Sequence, residues 1–73
     1  MIVFDRLWKT MEDKGITQYK LIKVYGVSPA QITRLKHNSN INSYTINRLC
    51  EILDCSIEDI MEYKASSKHE ASE

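Results

Sequence analysis

The segment YGVSPAQITRLKHN, from Tyr25 to Asn38, constrains the architecture of this chain more than any other. Four start signals for a helix coincide in it. Ser28 places a hydroxyl where it can accept from a free first-turn N–H. Pro29 follows at the first helical position, where a missing N–H costs nothing. Gln31 stands three residues past the cap and can reach back to it, and Val27 and Ile32 bracket the start as an apolar staple. The spacing predicts a helix over residues 29–37, with Ile32 and Leu35 facing inward and Asn38 as its left-handed stop.

The same logic places four more helices. Phe4, Leu7, Trp8 and Met11 recur at helical spacing and predict a first helix over residues 4–14, ended by Gly15. Thr17 caps a short second helix, residues 18–24, with Ile16 and Leu21 as its staple and Gly26 as its break. Ser43 caps a fourth helix, whose apolar stripe is Ile46, Leu49, Cys50 and Leu53. Ser56 caps a fifth, with Ile57, Ile60 and Met61 on its buried side and Glu58 and Asp59 in a favourable first turn. Between the third and fourth, NSNINS reads as a loop, pinned to the core by Ile41. No segment reads as a strand. The expectation is an all-α, compact five-helix bundle: one domain over residues 1–63, then a flexible tail over residues 64–73. None of these helices is long enough to be stable alone, so each has to pack against the others.

Composition narrows the function. With 73 residues there is room for one small core, and 42% hydrophobic content is enough to fill it. No apolar run approaches the length of a membrane span, and the start MIVFDRLWK is too short for a signal peptide, which makes the cytoplasm the expected compartment. Cys50 and Cys55 read as two reduced, partly buried thiols rather than zinc ligands, since no C-x-x-C and no second ligand pair accompany them. No cofactor or metal is expected. There is no Ser/His/Asp set, no acid pair placed for catalysis, and no obvious partner for His37 or His69, so an enzyme is not expected.

The net charge is zero, yet the charges are not mixed along the chain. Residues 1–49 hold eight basic side chains against three acidic ones, a balance of +5, and residues 50–73 hold two against seven, a balance of −5. A field of one sign over one part of a surface steers a partner even when the total cancels.

Two short helices, a glycine-containing turn and a capped second helix are the marks of a helix-turn-helix, whose second helix enters the major groove of double-stranded DNA. With Ile32 and Leu35 inward, Pro29, Ala30, Thr33 and Arg34 point away from the core and are the candidate base readers. Ala30 can touch a thymine methyl. Thr33 can donate, accept or offer its own methyl, and Arg34 can grip guanine or a phosphate. Gln18, Lys20, Lys23, Lys36, Asn38, Asn40 and Tyr44 are the candidate phosphate contacts, which position a protein without specifying sequence.

GITQYKLIKVYGVSPAQITRLK and the later LCEILDCSIEDIMEY together resemble the Cro/C1-type, or XRE-family, helix-turn-helix proteins. The resemblance covers residues 5–63 and is strongest at Gly15, Thr17, Gln18, Leu21, Gly26, Val27, Ser28, Ile32 and Leu35. It implies a lambda-repressor-like fold and a transcriptional regulator, a repressor by expectation, that binds its operator as a two-fold homodimer. It also implies a phosphate contact for Gln18 and base reading by Pro29, Ala30, Thr33 and Arg34. Two departures stand out. Ile22 occupies a place where the family usually has a small residue, and HNSN replaces a glycine-containing turn after the third helix. Pro29 and Ala30 are poor hydrogen-bonding readers, which shifts weight toward phosphate contacts and DNA shape. The dimer interface is expected at the fifth helix or the loop near Ile41. The alternative reading is a protein-interaction module on the same scaffold, antitoxin-like or an adaptor, whose mark would be an apolar rather than a basic third helix.

Overall fold

The computed structural model describes residues 1–65. It runs through strand β1 (Ile2–Val3), helices α1 (Asp5–Lys14), α2 (Gln18–Lys23), α3 (Pro29–Lys36) and α4 (Ser43–Leu53), a 3-10 turn (Ile57–Asp59) and strand β2 (Glu62–Tyr63). The expected tail over residues 64–73 lies, from residue 66 onward, outside the described residues. Lys64 is joined to the first residues of the chain: its N–H donates to the Met1 carbonyl at 2.9 Å, and its ammonium lies 3.6 Å from Asp5.

The helix starts follow local chemistry. Thr17 Oγ1 accepts from the Lys20 N–H at 3.1 Å, and Ser28 Oγ accepts from the Gln31 N–H at 3.3 Å. Val27, Ile32 and Leu21 of the two staples are buried. The return half of the expected capping box at α3 is not made: Gln31 is half-buried, and its Oε1 is buried with no hydrogen-bond partner among the described residues. The cap of α4 is Asn42, not Ser43. Its Oδ1 accepts from the Thr45 N–H at 2.9 Å, one residue earlier in a polar run that offers several cap residues.

Three helices stop by one device. At α1, α3 and α4 a residue one or two places past the end is left-handed (Gly15 φ 71°, Asn38 φ 54°, Asp54 φ 51°), and the next N–H bonds back five residues to Met11, Arg34 or Cys50. Asn38 is thus the left-handed stop of α3, and it does a second job. Its Oδ1 accepts from the Phe4 N–H at 2.9 Å, tying the end of α3 to the start of α1. Asn38→Ala removes that acceptor and puts at positive φ a residue that tolerates the left-handed region less well than asparagine does. The expected loss is about 2–4 kcal/mol of stability, combining an orphaned donor with a left-handed penalty. Asn38→Gly keeps the turn, so it should lose only the hydrogen-bond share. Equal urea midpoints for the two variants would contradict the positive-φ contribution.

The fifth helix is not formed. Ser56 does start a turn, and the Asp59 carboxylate accepts from both its N–H and its hydroxyl, at 3.3 and 3.2 Å. After that turn the carbonyls that would carry a helix forward are taken by α1: Arg6 Nη1 donates to the Glu58 carbonyl at 3.0 Å and Thr10 Oγ1 to the Asp59 carbonyl at 2.7 Å. The chain then straightens into β2, which pairs antiparallel with β1 in the register Ile2 with Tyr63 and Val3 with Glu62. The expectation of an all-α chain is corrected to four helices, one 3-10 turn and a two-stranded pair among the described residues. Of the three side chains expected on the buried side, Ile60 enters the core, Met61 is half-buried and Ile57 is 51% exposed.

The core gathers Phe4, Leu7, Met11, Leu21, Val27, Ile32, Leu35, Ile46, Leu49, Leu53 and Ile60, with Trp8, Ile16, Ile22 and Ile41 packed around it. Leu35 is wholly buried, so the inner side of α3 is anchored and its opposite side is left free. No helix among the described residues is long and apolar enough to cross a membrane.

Candidate nucleic-acid interface

The capped start, the buried Ile32 and Leu35 and the Asn38 stop together orient α3. On its outer side Pro29, Ala30, Thr33 and Arg34 are all exposed, so the structure brings the four sequence-predicted readers onto one surface. Lys36 is exposed in the last turn of the same helix. Thr33 Oγ1 donates to the Pro29 carbonyl at 3.1 Å.

The turn before α3 is wider than the other helix ends. Val24 and Tyr25 both donate to the Lys20 carbonyl, Gly26 is left-handed at φ 76°, and the Val27 N–H closes onto Leu21 at 2.9 Å. Glycine meets no steric cost there, whereas a β-carbon would be strained. The turn's spare carbonyl, that of Tyr25, accepts from Arg48 Nη2 on α4 at 2.7 Å. Arg48 entered the sequence reading only as one of eight positive charges. No local pattern predicts that a residue 23 positions away braces the helix-turn-helix. Arg48→Ala should cost about 1.5–3 kcal/mol, the range for a charged donor on a part-buried carbonyl. The urea midpoint reads it, and an unchanged midpoint would contradict the bracing role.

The phosphate candidates separate into groups. Gln18 is half-buried at the start of α2, while Lys20 and Lys23 are exposed along it. Tyr44, 70% exposed, lies on the first turn of α4 and lines a notch with Ser28, Gln31, Asn42 and Arg48. Asn38 and Asn40 line a different cleft, with Met1, Ile2, Phe4 and Ile41, and Asn38 Oδ1 already accepts from the Phe4 N–H.

The charges sort by element. No acidic side chain occurs between Asp13 and Glu51, whereas Lys14, Lys20, Lys23, Arg34, Lys36 and Arg48 do. The ion pairs among the described residues engage Arg6, Lys9 and Lys64 with Glu62, Asp13 and Asp5, and none involves Lys20, Lys23, Arg34 or Lys36. The cations of α2 and α3 are therefore available to an anionic partner. Cys50 and Cys55 are free thiols at the far end of α4, and burial raises the pKa of both.

An exposed, capped second helix behind a glycine turn, on an acid-free stretch, is a helix-turn-helix surface, and comparison with known families decides which kind. Residues 6–66 match the Cro/C1-type HTH DNA-binding domain. The chain belongs to that family. Among solved structures, that of the transcriptional regulator VanUg is similar to this chain: 28% sequence identity over 89% of this chain and 87% of that one, with a TM-score of 0.80. A comparison with curated proteins finds no match. As a Cro/C1-type domain the chain is a DNA-binding domain, and the family is one of non-enzymatic regulators. Within it, Ile22 finds its room by lying half-buried at the edge of the core, and Asn38 supplies the left-handed residue where the family favours glycine.

Proposed function

We propose that this Cro/C1-type domain binds double-stranded DNA sequence-selectively as a small transcriptional regulator, with α3 in the major groove. The observation that carries this reading is the outer side of α3: four exposed residues on an anchored helix, inside a stretch that contains no acid. Pro29, Ala30, Thr33 and Arg34 read bases. Gln18, Lys20, Lys23, Lys36 and Tyr44 hold phosphates, with Asn40 at the margin. Asn38 serves mainly as the clamp on Phe4. The VanUg likeness supports the regulatory role, and repression follows from a bound α3 excluding other proteins from the same groove. The cytoplasm, where such DNA lies, is the proposed compartment, and two free thiols fit its reducing conditions.

A single domain covers one half-site. A two-fold homodimer would set two α3 helices one duplex turn apart, about 34 Å. The surface that favours it is apolar and open: Ile57 is 51% exposed beside Ile41, Ile46, Cys50 and Met61. The adaptor reading has no comparable support, since its mark was an apolar third helix and α3 carries Arg34 and Lys36 unpaired among the described residues.

The reading is tested by duplex affinity against salt. Each phosphate neutralised should add about −0.9 to the slope of log K against log salt. Replacing Lys23 by Ala should flatten that slope by about one without changing which sequences bind. A slope near zero for the native chain would refute the interface.

A further inference from the structure

We infer that the first turn of α3 reads DNA through pyrimidine 5-methyl groups, so that the ligand of this surface is a half-site in which thymines lie beside a guanine. The inference rests on the proposed entry of α3 into the major groove and adds to it the chemical class of base that is recognised.

The outer side of α3 is short of polar groups in its first turn. Pro29 has no N–H and an aliphatic ring, and Ala30 offers a single methyl; both are exposed. Thr33 would be the polar reader of that turn, but its hydroxyl hydrogen is already given to the Pro29 carbonyl at 3.1 Å. That bond holds Oγ1 back against the helix and leaves the γ-methyl as the part of the exposed side chain not committed to it. Gln31, the remaining polar side chain of the turn, is half-buried and lines the notch beside Tyr44 and Arg48, on the side of α3 away from Pro29, Ala30 and Thr33. The three exposed positions from Pro29 to Thr33 thus present hydrocarbon and no free donor.

Each base pair shows the major groove a distinct pattern, and only thymine adds an apolar group to it. Purine N7 and guanine O6 need donors, which the outward-facing Pro29, Ala30 and Thr33 do not offer. A thymine methyl needs only apolar contact. Arg34, one position further on and exposed, carries the two-pronged donor face that satisfies guanine. The surface is therefore built to accept methyl groups beside one guanine.

The test uses the duplex selected by the native chain from a randomised pool. Thymines of its half-sites are replaced one at a time by deoxyuridine, which keeps every hydrogen-bonding atom and deletes only the methyl. Affinity should fall about fourfold for each contacted methyl, the worth of one buried CH2 group. The salt slope should not change. Thr33→Val, which keeps a methyl and removes the hydroxyl, should preserve the preference for thymine, and Thr33→Ser should lose the share due to the Thr33 methyl. Equal affinity for thymine and deoxyuridine duplexes, with sequence selection intact, would overturn methyl reading while leaving DNA recognition in place. Loss of selection in Thr33→Val would show that the hydroxyl reads, and would overturn it too. Failure of the native chain to retain any duplex would overturn the DNA reading itself, and this inference with it.

Discussion

Leu35→Ala should be the most damaging single truncation in the recognition unit, costing about 2–5 kcal/mol. Leu35 is wholly buried and is one of the two side chains that hold the inner side of α3 to the bundle. Truncation removes the transfer energy of the lost methyl groups and leaves a cavity that packed neighbours fill only in part. A domain of this length has a total stability of roughly 4–11 kcal/mol, so the loss is a large fraction of the whole. Leu35→Met, which conserves volume, should cost less than about 1.5 kcal/mol. Urea midpoints at fixed slope compare the three proteins. The alanine variant should also lose duplex binding, because Pro29, Ala30, Thr33 and Arg34 are displayed only by a seated helix. Wild-type stability in Leu35→Ala would show that α3 is not anchored where the structure puts it.

Arg34→Ala carries the second large effect, on binding rather than folding. Arg34 is exposed and, among the described residues, pairs with no acid, so its removal should leave the urea midpoint within about 0.5 kcal/mol of the native value. If it holds a guanine by its two-pronged donor face, specific affinity should fall by about 1–3 kcal/mol, roughly 5- to 150-fold, and discrimination at one position should disappear. Titration of the selected duplex and of a variant with that guanine replaced separates the cases. An equal loss on both, with a flatter salt slope, would assign Arg34 to a phosphate. No loss on either would remove it from the interface.

How much of this was legible in the sequence depends on how far apart the deciding residues lie. The caps at Thr17 and Ser28, the staples Ile16–Leu21 and Val27–Ile32 and the stop at Asn38 each act within a few residues. Their chemistry is local, and the helices they frame stand where the pattern places them. The outer side of α3 follows from the same periodicity. Ser56 marks the limit of what local chemistry decides. Its cap signature is real, but it also suits a single 3-10 turn. Arg6 and Thr10, about 50 residues earlier, decide between the two by taking the Glu58 and Asp59 carbonyls. Strand β1 is likewise set by a partner at Glu62–Tyr63, and two residues are too few to show any alternation. The clamp of Asn38 on Phe4 and the brace of Arg48 on Tyr25 are tertiary hydrogen bonds, which leave no trace in local spacing. Asn42 in place of Ser43 as the cap is a smaller miss of another kind. NSNINS holds several good caps, and the register of Ile46 and Leu49 against the core selects among them.

Selection of duplexes by the native chain from a randomised pool, at a salt concentration where weak electrostatic binding is suppressed, tests base reading by the exposed side of α3. Enrichment of a short thymine- and guanine-containing motif, repeated with two-fold symmetry about one turn apart, is the predicted result. A retained pool with the composition of the input would contradict it.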